Sequence, residues 1–372
     1  MVFGPGVIQS LGDLAVELGA HRAFVVSDPG VITAGHTAHG LASLEHAGVA
    51  SCLFSGVREN PSTAEVDAGL AAAREFEPDL IVGLGGGSAM DCAKGVNFLY
   101  TNGGEMRDYW GVDKATRPML PMIAVPTTSG TGSETQSFAL ISDAKTKAKM
   151  ACGDKKAACR IALLDPELTL TQPQRVTALT GIDAIAHALE TYVTKRRTAA
   201  SLAFSREAWH LLAGNFSRVL HDPHNLEARS GMQLGASFAG LAIENSMLGA
   251  AHALANPLTA TYGIVHGEAV GLMLPHVIRF NGAEFPHWYR DLLEATGGSR
   301  GFPHPQHGPE GLADFVMGLA SEAGLATRLR DLKVDPAHFP DLAAAAAKQW
   351  TGTFNPRLVD QSSLSHLYEL AY

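Results

Sequence analysis

The chain has 372 residues, of which 46% are hydrophobic and 17% are charged. This composition is that of a folded globular protein, and the length is sufficient for two domains with their own cores. The formal net charge of −9 argues against nucleic acid or an anionic membrane as a partner, because both would repel an acidic protein. No stretch has the length and apolar purity of a membrane span, and no secretory signal is visible at the N-terminus.

The four cysteines, Cys52, Cys92, Cys152 and Cys159, form no Cys-x-x-Cys pair. We therefore expect free thiols in a reducing compartment. A cytoplasmic location is the corresponding expectation.

The first part of the chain alternates short apolar runs with helical runs. We predict helices over residues 7–18, 34–47 and 63–76, and strands over residues 23–27, 50–54, 79–84 and 121–125. Such alternation is typical of a parallel sheet built by crossover helices. Two further strands, over residues 138–143 and 161–165, are predicted to form a hairpin-like extension.

A glycine-rich turn follows the predicted strand over residues 79–84 and opens a helix. Strand, glycine turn and helix in that order direct free backbone N–H groups towards a pyrophosphate, and Gly86 and Gly87 allow close approach because they lack a Cβ. Ser88 and Asp91, three residues on, resemble a helix-capping arrangement. The spacing departs from the Gly-x-Gly-x-x-Gly fingerprint, so a glycine turn without a ligand remains the alternative.

Two other segments carry polar groups suited to a nucleotide. Asp28 follows the strand over residues 23–27, where an acidic residue accepts hydrogen bonds from ribose hydroxyls and repels a 2′-phosphate, which favours NAD over NADP. A plain Asp-Pro turn explains Asp28 equally well. Residues 126–134 contain five hydroxyls and two glycines, which suits contacts to phosphate or ribose, although most hydroxyl-rich loops bind nothing.

From residue 177 onwards the sequence has no convincing strand. Helices are predicted over residues 177–193, 198–212, 226–245, 311–323 and 342–350. We place the domain boundary near residue 175, with an α/β domain over residues 1–175 and an all-helical domain over residues 176–372. Residues 297–308 are rich in proline, glycine and histidine and predict a loop.

Two histidines, His252 and His266, are fourteen residues apart. In one unbroken helix they would be separated by roughly 21 Å, too far for one metal ion to join them. Pro257 and Gly263 lie between them, and such residues end helices or turn the chain. We therefore expect the segment to fold back and bring both imidazoles to one point.

Asp183 and His187 form a second pair upstream. Residues at i and i+4 share one face of a helix, so the carboxylate and the imidazole point the same way. With His252 and His266 they form an N₃O set that suits Fe²⁺ or Zn²⁺ and leaves a position open for a reactant. Taken alone, Asp183 and His187 would be an ordinary surface pair. His276 has apolar neighbours and is expected to be a satisfied core histidine.

Four motifs in this chain resemble those of the iron-containing (group III) alcohol dehydrogenase family. They lie at residues 85–94, 126–134, 181–187 and 252–266, and the resemblance covers the whole chain. It implies the dehydroquinate synthase-like fold of that family: an N-terminal α/β dinucleotide-binding domain with a parallel sheet, followed by an all-α metal-binding domain. It also implies a homodimer. Family members begin with a short strand before the turn at Phe3, so this chain has either a shortened edge strand or a misassigned start codon.

The resemblance also assigns roles to individual residues. It places the metal ligands at Asp183, His187, His252 and His266. The family's cofactor contacts correspond to Asp28, Asn60, Gly86, Gly87, Ser88, Asp91, Thr127, Thr128, Thr131 and Lys149. Asp28 matches the acidic position that favours NAD over NADP.

The activity implied by the resemblance is hydride transfer between NAD(H) and a small alcohol or its aldehyde or ketone. The metal ion, Fe²⁺ or Zn²⁺, would act on the reacting oxygen while the cofactor supplies the hydride chemistry. Three alternatives are a glycerol dehydrogenase-like enzyme, a dehydroquinate synthase-like enzyme and a non-catalytic NAD-binding protein. The four-ligand set argues against the first two, and the intact motifs argue against the third.

One position departs from the family pattern. Four residues after His252, where the family commonly has a histidine before a proline, this chain has Asn256. An asparagine exchanges hydrogen bonds but carries no proton at neutral pH. We expect Asn256 either to leave proton transfer to another group or to contact a substrate hydroxyl or carbonyl.

Overall fold

The computed structural model describes residues 1–295 and 303–372. They form two compact units, Met1–Gln172 and Pro173–Tyr372, where we predicted a boundary near residue 175. Residues 297–302 of the loop predicted over residues 297–308 lie outside the described residues. Its described end forms a 3₁₀ turn at Pro305–His307.

The first unit is built on a parallel sheet. Its strands are β1 (Val2–Phe3), β2 (Arg22–Val26), β3 (Ala50–Phe54), β4 (Leu80–Gly85), β5 (Gly111–Val112), β6 (Met122–Pro126), β7 (Phe138–Ser142), β8 (Lys149–Gly153) and β9 (Ile161–Leu164). Six of them form one sheet in the order β1-β9-β6-β4-β2-β3, and every neighbouring pair in it is parallel. The predicted parallel sheet is confirmed.

Apolar clusters cover both faces of this sheet. Along β2, Phe24 and Val26 pack into one cluster, whereas Ala23 and Val25 pack into the other. Because both faces are buried, the strands read as continuous apolar runs rather than as an alternation of apolar and polar residues.

The helices of the first unit follow the predicted order with some changes at their ends. They are α1 (Leu11–Glu17), α2 (Pro29–Thr33), α3 (His36–His46), α4 (Thr63–Phe76) and α5 (Gly87–Asn102). The helix predicted over residues 63–76 has those bounds. The helix predicted over residues 34–47 begins later, because Gly35 has a left-handed backbone with φ of 84° and separates α2 from α3.

The hairpin-like extension was predicted with one wrong strand. β7 pairs antiparallel with β8, and β5 joins β8 to make a small three-stranded sheet. β9, which we expected in the hairpin, lies instead between β1 and β6 in the main sheet. Its residues Ala162, Leu163 and Leu164 are all buried, and such an unbroken apolar run is typical of a central parallel strand.

The second unit contains only helices and 3₁₀ turns among its described residues, as predicted. The helices are α6 (Gln174–Val193), α7 (Ala199–His221), α8 (Leu226–Glu244), α9 (Ala250–Tyr262), α10 (His266–Gly282), α11 (Pro286–Ala295), α12 (Gly308–Glu322), α13 (Phe339–Ala346) and α14 (Gln361–Leu370). One apolar core draws side chains from all of these helices. No described helix of either unit is long and apolar enough to cross a membrane.

The predicted fold-back occurs, but only one of the two expected breaks is present. Pro257 lies inside α9, which continues to Tyr262. An interior proline costs about 3 kcal/mol, and the burial of Pro257 and Leu258 in the packed interior offsets that cost. The chain turns at Gly263, whose φ of 68° ends α9, and α10 then begins at His266.

The four cysteines are free thiols. Burial raises the pKa of Cys92 and of Cys152 to about 12. Both thiols are therefore neutral near pH 7 and poor nucleophiles.

His276 is not the satisfied core histidine that we predicted. Its Nε2 is buried and makes no hydrogen bond to any described residue. Burial, with a smaller effect of nearby Arg279, lowers the pKa of His276 to about 4, from an ordinary value of 6.5. The folded protein therefore keeps this imidazole neutral in mildly acidic solution.

We predict that His276 makes the protein less stable below pH 6.5. The unfolded chain takes up a proton on His276 in this range while the folded protein does not, so the free energy of unfolding falls from pH 6.5 towards pH 4, by about 1.4 kcal/mol per pH unit at most. His276→Asn should remove this part of the pH dependence. Urea unfolding at pH 7 and pH 5 measures it, with exposed His210→Asn as the control. Equal slopes for the two variants would contradict the assignment.

Candidate metal centre and dinucleotide site

The metal-ligand candidates of the helical unit converge on one oxygen atom. Asp183 Oδ1 lies 3.6 Å from His187 Nε2, 3.4 Å from His252 Nε2 and 3.8 Å from His266 Nε2. Ligand atoms that surround a tetrahedral metal at 2.0–2.2 Å are about 3.4 Å apart. Asp183, His187 and His252 are buried and have ligand atoms within 4.8 Å of one another. His266 is the least buried of the four, with 32% of its side chain exposed.

Each of these side chains is positioned by a helix. Asp183 and His187 are separated by one turn of α6 and share its buried face. His252 lies in the first turn of α9, and His266 is the first residue of α10. The turn at Gly263 brings the last two together, with ring centroids 5.3 Å apart.

The electrostatics of the cluster suit a cation. Burial would raise the pKa of Asp183, but His187, His252 and His266 hold it below its usual range. Burial likewise opposes the charged form of His252, yet Glu190 and Asp183 raise its pKa to about 9. Asp183 Oδ1 and His252 Nε2 are both buried, and neither makes a hydrogen bond within the described part of the chain. Buried polar atoms without partners are costly, and a divalent metal ion would satisfy both.

Glu190 is a member of this site that we did not predict. It lies on α6, three residues after His187, and is 3% exposed. Its Oε2 accepts a hydrogen bond from His252 Nδ1 at 2.6 Å, and its Oε1 accepts one from the backbone N–H of Ala251 at 2.7 Å. Glu190 is the one charged residue in the buried last six residues of α6, and this was the available signal, since a buried charge needs partners.

Asn256 lies one turn after His252 on α9 and is partly buried. Its Nδ2 donates a hydrogen bond to Gln349 Oε1 at 3.0 Å. Gln349 is a second residue that sequence reasoning missed, because 93 residues separate it from Asn256. Asn256 Oδ1 takes no part in this hydrogen bond.

In the first unit, the glycine turn joins β4 to α5. The first N–H groups of any helix have no intrahelical partner, and Gly86, which precedes the first residue of α5, offers no side chain to cap them. A Cβ on Gly86 would lie 3.3 Å from Thr128 Cγ2, and one on Gly87 would lie 2.6 Å from Thr131 Cγ2. These two glycines thus allow the hydroxyl-rich loop to pack against the start of the helix.

The predicted capping by Ser88 and Asp91 is wrong. α5 begins at Gly87, so Ser88 is inside the helix. Ser88 Oγ accepts a hydrogen bond from the backbone N–H of Asn60 at 3.2 Å, and Asp91 Oδ1 accepts one from Ser133 Oγ at 2.9 Å. Both side chains hold neighbouring loops instead of the helix end.

Lys94 holds the C-terminal end of the hydroxyl-rich loop, at Ser133. We did not predict it as a site residue. It is fully buried, and its Nζ donates to the carbonyl oxygens of Ser133, Gln136 and Phe138 at 2.6–3.0 Å. The backbone N–H of Thr127 donates to Gly85 at the other end of the loop, at 3.0 Å. The loop that carries the predicted threonine contacts is therefore held at both ends.

Among the remaining dinucleotide candidates, Asp28 follows β2, Asn60 lies in the loop before α4 and Lys149 is the first residue of β8. Lys149 Nζ is 3.4 Å from Asn60 Oδ1, so the structure groups these two residues with Ser88. Asp28 caps α2, because its Oδ1 accepts hydrogen bonds from the N–H groups of Gly30 and Val31. The Asp-Pro turn that we weighed as an alternative is thus present, and its carboxylate also borders Gly85.

Comparison with known proteins gives the family. The chain matches the family described as iron-containing alcohol dehydrogenase over residues 1–166 and its C-terminal counterpart, the Fe-containing alcohol dehydrogenase family, C-terminal, over residues 177–372. It is 33% identical over 372 residues to a 1,3-propanediol dehydrogenase of Citrobacter freundii, a match that covers 100% of this chain and 96% of that protein.

Solved structures agree with this assignment. A crystal structure of 1,3-propanediol oxidoreductase is similar with a TM-score of 0.95 and 33% identity, covering 100% of this chain and 97% of the other. A sulfoacetaldehyde reductase from Bifidobacterium kashiwanohense in complex with NAD⁺ is similar with a TM-score of 0.89 and 28% identity, covering 100% and 96%.

The chain belongs to the iron-containing alcohol dehydrogenase family. It is a metal-dependent oxidoreductase that transfers a hydride between NAD(H) and a small alcohol or the corresponding aldehyde or ketone. The roles of individual ligands and cofactor contacts stay predictions.

Proposed function

We propose that Asp183, His187, His252 and His266 bind the catalytic metal ion. The observation that carries this proposal is the convergence of three imidazole Nε2 atoms on one buried carboxylate oxygen at 3.4–3.8 Å. An N₃O donor set accepts Fe²⁺ or Zn²⁺. Family membership favours iron as the native ion, with zinc as the alternative.

The proposed metal site has four protein ligands and one chemical role. A bound divalent ion acts as a Lewis acid on an alcohol or carbonyl oxygen. The protein's part is to fix the four donor atoms and to keep them shielded from water. Asp183, His187 and His252 are buried, so the ligands are largely desolvated and their electrostatic effect is stronger than in water.

We predict that chelator treatment abolishes NAD-linked turnover and that Fe²⁺ or Zn²⁺ restores it. Asp183→Asn removes the one anionic ligand, so it should weaken metal binding by more than the roughly 10- to 100-fold loss typical of mutating a group that only supports a ligand. Metal content after dialysis and NADH oxidation with short aldehydes measure both effects. Asp341→Asn, at an exposed position of the same unit, is the control. Full turnover by the stripped protein would refute the metal assignment.

We propose further that NAD is preferred over NADP and that Asp28 provides the discrimination. A carboxylate near the adenosine ribose repels a 2′-phosphate. The NAD⁺ complex of the similar sulfoacetaldehyde reductase supports the choice of cofactor. The other proposed cofactor contacts are Asn60, Gly86, Gly87, Ser88, Asp91, Thr127, Thr128, Thr131 and Lys149.

We predict that Asp28→Asn narrows the preference for NADH over NADPH by roughly tenfold, because one repulsive charge is removed. Asparagine caps helices as well as aspartate does, so α2 should keep its start and the fold should be unaffected. Fluorescence titration of both cofactors measures the ratio. Asp13→Asn, an exposed change in α1, is the matched control, and an unchanged ratio in Asp28→Asn would assign Asp28 to capping alone.

For the substrate, we propose a small alcohol or aldehyde with a second polar group that Asn256 contacts. The hydrogen bond from Asn256 Nδ2 to Gln349 orients the amide and leaves Oδ1 as an acceptor for a hydroxyl. The similar 1,3-propanediol dehydrogenase supports a diol. An atypical substrate, as in a glycerol dehydrogenase-like enzyme, is the alternative.

We predict that Asn256→Ala lowers kcat/KM for 1,3-propanediol by roughly 3- to 10-fold, the loss expected for one neutral hydrogen bond. 1-Propanol, which lacks the second hydroxyl, is the control substrate and should lose little. Asn256→His adds a titrating group and should change the pH profile of kcat/KM. An equal loss for both alcohols with an unchanged pH profile would exclude Asn256 from the substrate site.

We also propose a homodimer that works in the cytoplasm. Family membership supports the dimer, and the exposed Met1 and Phe3 at the β1 edge offer an apolar surface for it. Four free thiols support a reducing compartment. Light scattering of the purified protein tests the dimer, and a monomer mass at micromolar concentration would refute it.

A further inference from the structure

Glu190 joins two parts of the helical unit that carry the candidate ligands. It projects from α6, the helix of Asp183 and His187, to the first turn of α9, the helix of His252. One carboxylate oxygen binds His252 Nδ1 at 2.6 Å, and the other binds the backbone N–H of Ala251 at 2.7 Å.

The start of α9 depends on groups from elsewhere in the chain. Gly249 precedes the helix and has no side chain to cap it. The N–H of Ala250 is bound by Asn355 Oδ1 at 3.3 Å, and the N–H of Ala251 is bound by Glu190 Oε1. A side chain on Gly249 would crowd both acceptors, since its Cβ would lie 3.0 Å from Glu190 Oε1 and 3.1 Å from Asn355 Oδ1.

The two ring nitrogens of His252 have different neighbours, Glu190 at Nδ1 and Asp183 at Nε2. Glu190 accepts at Nδ1, so Nδ1 carries a proton, and Nε2, which lies 3.4 Å from Asp183 Oδ1, is the nitrogen that would bind the metal. A ligating histidine whose other nitrogen donates to a carboxylate has its tautomer and its ring orientation fixed. We propose that Glu190 is a positioning residue that holds His252 in the orientation and tautomer needed to bind the metal. This inference rests on the metal site proposed above.

A carboxylate is the side chain that both contacts require. Two donors, the N–H of Ala251 and Nδ1–H of His252, face the two oxygens of Glu190. Glutamine has the same shape but only one acceptor oxygen. In the Glu190→Gln variant, either orientation of the new amide would place its NH₂ group against a donor. If the NH₂ faces His252, the proton moves to Nε2 and the lone pair needed for the metal is lost.

The test compares metal affinity in Glu190→Gln and in two control variants. Co²⁺ is the probe, because its visible absorption reports the ligand set, and a competing chelator gives the affinity. We expect Glu190→Gln to bind Co²⁺ roughly 10- to 100-fold more weakly than the wild type and to have an altered visible spectrum. Glu207→Gln, at an exposed site on α7, should leave both unchanged. NADH fluorescence titration confirms that each variant is intact.

Asn355→Ala separates positioning from helix stability. It removes the acceptor for Ala250 at the same helix start but leaves the contact between Glu190 and His252 in place. We expect it to lower thermal stability while Co²⁺ affinity and spectrum stay those of the wild type. If Asn355→Ala weakens Co²⁺ as much as Glu190→Gln does, Glu190 acts only through the helix and the proposal is overturned.

His252→Ala distinguishes failure of this inference from failure of the metal site. If the wild type binds Co²⁺, His252→Ala loses it and Glu190→Gln binds normally, then the metal site stands and the role of Glu190 is refuted. If His252→Ala binds Co²⁺ as well as the wild type does, the ligand set itself is wrong, and the role of Glu190 is refuted with it.

Discussion

A carboxylate buried among imidazoles is the interaction on which the helical unit depends. Taking an ion out of water costs several kcal/mol unless partners compensate it, and Asp183 is 7% exposed. Its compensation comes from three helices: His187 on α6, His252 on α9 and His266 on α10. α6 also carries Glu190, which is seven residues after Asp183 and therefore on the same face. One helix face thus supplies the anionic ligand candidate, an imidazole and the group that orients a second imidazole.

The candidate ligands could be read from spacing, whereas the contact between Glu190 and His252 could not. Asp183 and His187 are four residues apart, and His252 and His266 are separated by a glycine that turns the chain, so local rules are sufficient to bring each pair together. Glu190 and His252 are 62 residues apart. Their contact exists only because α6 and α9 pack together, and a single sequence contains no direct signal of that packing.

The wrong or missing predictions for the first unit have a related origin. Local patterns located β4, the glycine turn and α4, because each depends on residues close together in the chain. They did not predict that β9 lies in the main sheet or that Lys94 donates to three carbonyl oxygens of residues 133–138. A buried lysine without such acceptors would be costly, so a lysine within the largely apolar middle of α5 was a clue. Pairing between strands and burial of charge are both decided by tertiary structure, which also overrode the helix-breaking tendency of Pro257.

Two glycines determine how closely the last ligand candidate approaches the others. Gly267 follows His266, and a Cβ on it would lie 2.1 Å from the carbonyl oxygen of Leu179 on α6. One turn later, a Cβ on Gly271 would lie 2.8 Å from Ile182 on the same helix. Glycines four residues apart form a stripe without side chains, so α10 can pack directly against the backbone of α6. Any larger residue at Gly267 would displace the start of α10, and His266 with it. The 3.8 Å separation between His266 Nε2 and Asp183 Oδ1 therefore depends on the absence of a side chain at Gly267 and Gly271 as well as on the histidine itself.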